Sequence, residues 1–280
     1  MKKIIALIKP NAALFYFVNQ VHRQHPIELV IIEDKHLGKV STLNKIKTRL
    51  ALGKKTIKHP HAAVRIKSRK TAELYQQHLG NDWQDLNTSL RIVYCQNINE
   101  PAIHQLLAAE KPDLLLDHGT SIVKDHILAQ APLALNLHWG LSPYYRGTHC
   151  TEWALINWDP YNIGVTIHRL TKAIDGGDVL AQSRVEIQSN DTVNSINLKL
   201  TKAGTELVIK ALNDWQQDHE LTFQQQDHGL GYLTLNRQWS KALKKEINHI
   251  EQHNIINQML KTPARKELLP LIEFSPKIEA

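Results

Sequence analysis

Three polar residues in two short stretches could share one piece of chemistry. The first stretch reads Leu135-Asn136-Leu137-His138-Trp139-Gly140-Leu141-Ser142-Pro143-Tyr144-Tyr145-Arg146-Gly147. The second runs from Gly164 through Thr166-Ile167-His168 to Ile174-Asp175-Gly176-Gly177-Asp178. Alternate residues of a strand face the same side, so Asn136 and His138 can point into one cavity at a strand end. Asn offers a fixed N–H donor, and His exchanges a proton near neutral pH. Together they suit an oxyanion site for acyl transfer. Asp175 sits in a glycine-rich turn, where its carboxylate can hold the His, order a water or take a proton from an attacking amine. By spacing alone, Asn-x-His at a strand end reads equally as a structural hydrogen-bonded pair. His168 reads either as a second catalytic histidine or as a packing residue.

The elements that must position these groups follow an α/β rhythm. Residues 3–8 and 27–32 are apolar strands around a helix at 12–24, a βαβ unit that implies a parallel sheet. The first strand-to-helix turn, Lys9-Pro10-Asn11-Ala12-Ala13, has no glycine, so neither a dinucleotide fingerprint nor a P-loop stands there. Strands are expected at 90–94, 113–117 and 133–138, with helices at 99–109, capped by Asn99, and near 122–129. A helix at 150–157 precedes strands at 163–170 and 178–187. A long helix follows at 190–218, then a short strand at 221–225 and a hairpin at 229–235. Helices near 238–248 and 250–260 complete the series. The pattern predicts an α/β fold with a mostly parallel, Rossmann-like sheet flanked by helices and a small C-terminal α+β appendage. The expected division is a catalytic domain at 1–204 and an appendage at 205–280.

Apolar residues make up 42% of the 280 and charged residues 22%, which excludes a disordered chain. Cys95 and Cys150 are the two cysteines. Neither belongs to a CxxC pair, which argues against a disulfide scaffold or a zinc-thiolate site and suits a reducing, cytoplasmic compartment. The N-terminal apolar run is shorter than the roughly 7–15 residues of a signal-peptide core. No run reaches the roughly 20 residues of a membrane span. The net charge of +7 favours an anionic partner. Twelve Lys and Arg and no Asp or Glu lie between Lys35 and Lys70, a basic insertion that is either a solvated surface or a landing patch for an anion such as tRNA. No metal site is expected, because the His pairs His22/His25 and His59/His61 lack neighbouring carboxylates or thiols at ligand spacing.

Taken jointly, the two stretches resemble the formyltransferases that use N10-formyltetrahydrofolate as donor. That family carries an Asn-x-His strand end, a Ser-Leu-Leu-Pro-type loop followed by Arg/Lys-Gly, a Val-x-His strand, and a Leu-Asp-x-Gly turn. Here these read Asn136-Leu137-His138, Gly140-Leu141-Ser142-Pro143 to Arg146-Gly147, Thr166-Ile167-His168 and Ile174-Asp175-Gly176-Gly177. The close resemblance spans roughly residues 112–187. It implies that Asn136 and His138 polarise the formyl oxygen and stabilise the tetrahedral intermediate. Asp175 would then position His138 or a water and assist proton transfer from the amine. Leu116, Asp117, His118, Gly119 and Thr120 would line the folate pocket. Gly140, Leu141, Pro143, Ile174 and Gly176 would join them, largely through backbone groups. Tyr144, Tyr145, Arg146 and His168 would lie by the acceptor. No metal is required. Two departures stand out: Gly140-Leu141-Ser142-Pro143 replaces Ser-Leu-Leu-Pro, with Trp139 ahead of it, and the first turn lacks the phosphate loop of the glycinamide ribonucleotide enzymes.

The resemblance therefore implies formyl transfer to a primary amine, with a nucleotide-linked amino sugar as first choice of acceptor. The other readings are methionyl-tRNA formyltransferase, favoured by the basic segment, and formyltetrahydrofolate hydrolysis, where water replaces the amine. Outside the enzymes stands a folate- or nucleotide-binding protein without turnover. Oligomeric state is not legible.

Overall fold

A computed structural model describes residues 1–35, 69–262 and 268–274. Apart from its ends, the basic segment expected at 35–70 lies outside the described residues. Strand order in the main sheet is β3-β2-β1-β4-β5-β7-β8, and a second sheet pairs β6 with β9. The chain divides into two compact units, the first comprising Met1–Asn136 with Leu170–Lys172 and the second Leu137–Arg169 with Ala173–Ala280.

In the first unit, β1 (Ile4–Ile8) is buried along its whole length, as a continuous apolar run requires of a parallel strand covered on both faces. Helix α1 (Ala12–Gln24) opens on Asn11, whose side chain accepts from the Ala13 N–H at 2.8 Å. It returns the chain to β2 (Ile27–Glu33), parallel to β1. Helix α2 (Arg69–Leu79), which the sequence pattern did not signal, leads to β3 (Arg91–Cys95), parallel to β2. Helix α3 (Pro101–Glu110) then feeds β4 (Leu114–His118), which pairs with the other side of β1. Order reverses between β1 and β4, so their carboxyl ends form the switch point where α/β sheets bind ligands. The short α4 (Asp125–Leu128) precedes β5 (Leu133–His138), parallel to β4 through Asn136.

Two expectations are corrected here. Asn99 does not cap α3. Pro101 occupies the first helical turn and Glu100 stands at the cap position, so Asn99 is left outside the helix. Its side chain instead accepts from Lys124 N–H at 2.7 Å and donates to Ile122 O at 2.9 Å, fixing the loop before α4. The helix expected near 122–129 shrinks to the four residues of α4.

In the second unit, β6 (Tyr145–Gly147) and α5 (Cys150–Ile156) lead to β7 (Gly164–Arg169), antiparallel to β8 (Val179–Arg184). Helix α6 (Val193–Gln216) starts at a capping box in which Thr192 and Ser195 exchange side-chain bonds to each other's N–H. The strand expected at 221–225 is only an isolated bridge, Val179 to Gln224. The expected hairpin at 229–235 is absent as well. Instead β9 (Tyr232–Thr234) pairs in parallel with β6, some 85 residues earlier in the chain. A three-residue strand carries no local signal of its partner. Gly147 lets this pairing close: its φ is 93°, and a Cβ there would sit 1.9 Å from Thr234 O. Helices α7 (Lys241–Gln252) and α8 (Ile255–Lys261) follow. The stretch 268–274 docks on β8, where Gln182 N–H donates to Ile272 O at 2.8 Å and Gln182 Oε1 accepts from Ile272 N–H at 3.1 Å. Among the described residues, no helix is long and apolar enough to cross a membrane.

At the end of β2, Glu33 is 1% exposed and accepts from two backbone donors, Ile98 N–H at 3.1 Å and Ser121 N–H at 2.7 Å. It ties the loop after β4 to the loop before α3. Glu33→Ala leaves two N–H groups without their charged acceptor, and we expect a loss of about 2–4 kcal/mol in urea unfolding. A loss under about 0.5 kcal/mol would show that water replaces the carboxylate at both donors.

Candidate active site

The strand end of β5 and the turn after β7 deliver their side chains to one cluster. His138 is buried and its Nδ1 lies 3.3 Å from Asp175 Oδ2. His168, 1% exposed, brings Nε2 within 3.4 Å of Asp175 Oδ1. The two imidazoles meet edge to face, with centroids 6.3 Å apart. Asp175 Oδ2 also accepts from the Gly147 N–H at 2.7 Å. The carboxylate is thus shared by two rings and one backbone donor. Asp175 itself adopts φ 46°, the left-handed region that Asp tolerates better than most residues.

The other ring nitrogens are also engaged. His138 Nε2 stands 3.0 Å from Tyr145 O, and His168 Nδ1 stands 2.8 Å from Arg169 O. A carbonyl only accepts, so each of these nitrogens carries a proton. Neutral His138 therefore turns the lone pair of Nδ1 toward Asp175. Cys150 Sγ lies 3.6 Å from His138 Nε2. Burial, together with the charges of Asp175 and Glu152, pushes the Cys150 thiol well above its ordinary value, so it stays protonated and is no nucleophile.

Burial likewise lowers His138, opposed by Asp175 and reinforced by His168. For Asp175 burial acts to raise the carboxyl, but His138, the His168 hydrogen bond and charge, and the Gly147 N–H outweigh it and hold the group well below the usual carboxylate range. Asp175 is thus the group favoured as ionised, while burial disfavours a charge on His138.

Thr166 fixes the loop that follows His138. Its Oγ1 donates to Gly140 O at 2.6 Å and accepts from Ser142 N–H at 3.0 Å and Gln182 Nε2 at 3.0 Å. Gln182 Nε2 also donates to Ser142 O at 2.6 Å. Gly140 must stay bare, because a Cβ there would lie 2.4 Å from His138 Nε2. Leu141 is buried beneath this loop, and Pro143 follows a cis peptide bond. Tyr144 O accepts from Tyr232 N–H at 2.7 Å, and Tyr145 Oη donates to Asp159 at 2.8 Å. Arg146 is 7% exposed, yet its guanidinium makes one hydrogen bond, from Nη2 to His228 O at 3.3 Å, and its Nε has no partner.

The remaining expected residues lie in the first unit or on the Asp175 turn. Leu116 is wholly buried in β4 and paired on both sides, with Ala6 and with Leu135, so the sheet takes up the residue that was expected to line the folate pocket. Asp117 accepts from Thr120 Oγ1 at 2.5 Å, His118 packs edge-on against Phe17, and Gly119 takes φ 81°. Asn136 is buried on β5, two residues before His138 and opposite Asp117 in the strand register. Ile174 is half-buried beside Asp175, and Gly176 O accepts from His228 Nε2 at 2.9 Å. Sequence reasoning missed Cys150, Thr166 as the loop's anchor, and Gln226 with His228. All four act through contacts distant in the chain.

Because Asp175 is held ionised in the folded state, its contribution to stability is present above the ordinary carboxylate value and is lost as pH falls through its depressed one. Asp175→Asn should therefore be less stable than wild type at pH 7, with the gap narrowing below about pH 4. Urea unfolding at several pH values measures it. A gap that stays constant down to about pH 2 would mean that the carboxylate is not held by these partners.

Known proteins resemble this chain in family and fold. The formyl transferase family model matches residues 39–212. Over 131 residues the chain is 35% identical to the bifunctional polymyxin resistance protein ArnA of Wigglesworthia glossinidia brevipalpis, a match that covers 46% of this chain and 20% of that protein. The chain thus spans about a fifth of the length of that relative. A sugar N-formyltransferase from Shewanella sp FDAARGOS_354 shares the fold at a TM-score of 0.55 and 15% identity, covering 99% of both chains. A glycinamide ribonucleotide transformylase from Symbiobacterium toebii does so at 0.53 and 16%, over 81% of this chain and 95% of that one. With the family model matching well over half of its length, and with the family's Asn-x-His strand end and Asp-Gly turn in place, the chain belongs to the formyl transferase family.

Proposed function

We propose that this chain transfers a formyl group from N10-formyltetrahydrofolate to the primary amine of a nucleotide-linked amino sugar. The observation that carries the reading is the largely buried Asp175 carboxylate shared by His168 and by His138, which stands two residues on from Asn136, in a formyl transferase chain. The donor supplies a formyl carbon already at the oxidation level of formate, so the chain's residues need only move protons and steady charge. Asn136 donates its side-chain N–H to the oxygen that becomes negative under attack. Attack joins the amine nitrogen to the formyl carbon, and departure breaks the carbon's bond to the donor nitrogen. One proton leaves the amine and one arrives on the departing nitrogen. The lone pair of His138 Nδ1 and the Asp175 carboxylate, 3.3 Å apart, hold that proton between the two events.

The residues present suit the donor. Tetrahydrofolate carries a flat ring rich in donors and acceptors and an anionic tail. Ser121 Oγ, beside the Asp117–Thr120 turn, is a buried hydroxyl without a protein partner. The backbone of the loop after β4, from His118 to Thr120, offers further pairing groups. Tyr144, Tyr145 and Arg146 serve the acceptor. The under-bonded, buried guanidinium of Arg146 favours an anionic one, as a nucleotide-linked sugar is.

The fold alone does not choose the acceptor, since sugar N-formyltransferases and a glycinamide ribonucleotide transformylase share it. Two features favour the sugar. The turn Lys9-Pro10-Asn11 lacks a glycine-rich phosphate loop. Among the described residues after 212, the only strand is Tyr232–Thr234, which does not make a five-stranded RNA-binding barrel.

The test incubates the protein with N10-formyltetrahydrofolate and, separately, UDP- and dTDP-linked amino sugars, charged initiator tRNA, and no acceptor. A formylated sugar nucleotide by mass spectrometry is the expected product. Asn136→Ala and His138→Ala should each lower its formation by at least about a hundredfold while the thermal transition is retained. Formylation of the tRNA alone would overturn the acceptor, and formate release without acceptor at the full rate would make the chain a hydrolase.

A further inference from the structure

The turn that carries Asp175 presents three consecutive carbonyl groups, and a single later segment binds all three. Gln226 Nε2 donates to Asp175 O at 2.9 Å and to Gly177 O at 2.5 Å. His228 Nε2 donates to Gly176 O at 2.9 Å. Gln226 is 7% exposed, and its Oε1 is buried without a partner. A side-chain amide that leaves its own acceptor unsatisfied is fixed here by its donors.

The same segment is anchored at both ends. Before Gln226, the backbones of Gln224 and Val179 exchange two hydrogen bonds at 2.8 Å. After His228, whose carbonyl accepts from Arg146, the chain becomes β9 and pairs with β6. Strand β6 ends at Gly147, and the Gly147 N–H returns to Asp175 Oδ2. The result is a closed circuit: the Asp175 turn, residues 224–228, β9, β6, and Asp175 again. The whole segment lies beyond residues 39–212 that the family model matches.

We infer that Gln226, assisted by His228, is a positioning residue for Asp175: it clamps the carbonyls of the 175–177 turn so that the carboxylate stays between His138 and His168. The clamp is needed because Asp175 sits at φ 46°, a conformation that a non-glycine residue leaves unless its surroundings hold it. The inference rests on the catalytic reading of Asp175 given above.

The experiment uses the full chain and reads both structure and turnover. Ring 13C and 15N chemical shifts of His138 and His168, assigned by His→Gln substitution, are recorded at pH 7 without substrate for wild type, Gln226→Glu, Gln226→Ala and Asp175→Asn. Gln226→Glu keeps the volume but puts a carboxylate oxygen against two carbonyls. We expect both Gln226 variants to move the two ring signals in the direction that Asp175→Asn moves them. Adding Asp175→Asn to Gln226→Ala should move them little further. Formyl transfer to the sugar nucleotide should fall about ten- to hundredfold in kcat for the Gln226 variants, with KM for either substrate changed less than about threefold. Val208→Ala in α6, a buried side chain that makes none of the cluster's hydrogen bonds, serves as the control for general destabilisation: it should leave the ring signals and kcat unchanged.

Ring signals that stay at their wild-type positions in folded Gln226→Ala, while Asp175→Asn displaces them, would overturn the clamp and leave the catalytic reading of Asp175 standing. Full turnover by Asp175→Asn would instead remove that catalytic reading, and the functional half of the inference with it.

Discussion

A carboxylate that must remain ionised while largely removed from water, its side chain 14% exposed, is the constraint on which the second unit depends. Desolvating such a group costs several kcal/mol unless charge and hydrogen bonds replace the lost water. Around Asp175 the replacement comes from the Gly147 N–H and two imidazoles, each of which bonds the carboxylate when it carries a proton on the facing nitrogen. Oδ1 faces His168, and Oδ2 faces His138 and the Gly147 N–H. Remove one partner and the charge is left uncompensated, which is why the carboxylate cannot be considered apart from β5, β6 and β7. The left-handed turn at Asp175 aims the side chain at all three.

The loop between the two stretches is organised by a second, neutral hub. Thr166 lies one turn of the strand alternation from His168, so the strand that sends an imidazole to the carboxylate also sends a hydroxyl to the loop. That hydroxyl uses its proton on Gly140 O and its lone pairs on Ser142 N–H and Gln182. Nothing on it is left over for a ligand. The hub therefore sets the backbone course of Gly140–Pro143. Its bonds run to the main chain of Gly140 and Ser142, so they are indifferent to the side chains by which Gly-Leu-Ser-Pro differs from Ser-Leu-Leu-Pro.

Much of this was legible in the sequence, for reasons of period and spacing. Ile4–Ile8 and Ile27–Glu33 are continuous apolar runs of strand length separated by one helix, and they fold as a parallel pair. Asn136-x-His138 and the Asp175 turn were found because each combines polar residues with a strand end. What escaped was of a different kind. Tyr232–Thr234 looked like part of a hairpin because glycines flank it, but its partner is Tyr145–Gly147, fixed by close backbone approach at Gly147 rather than by any local pattern. Cys150 and Gln226 each lie in segments with no catalytic spacing, and their roles arise from where the chain returns. His168 was open between packing and chemistry from sequence. It is 1% exposed, as a packing residue would be, and it holds Asp175 as a site residue would.

The disposition of protons follows from these contacts and bears on the chemistry. Both nitrogens of His138 face oxygen, and so do both nitrogens of His168. With either ring neutral, one nitrogen lone pair is directed at an oxygen, an arrangement relieved by adding a proton. Burial opposes that addition at His138 and keeps the ring neutral in the resting state. The cluster is therefore poised between two nearly balanced demands, hydrogen bonding that favours one more proton and desolvation that refuses it. In the proposed reaction, a positively charged nitrogen formed during acyl transfer would tip that balance, since its proton would have a place between His138 Nδ1 and Asp175. The neighbouring Cys150 thiol, kept neutral by burial, adds no competing anion. On that proposal, the acceptor of the transient proton is built from the same contacts that keep the carboxylate ionised.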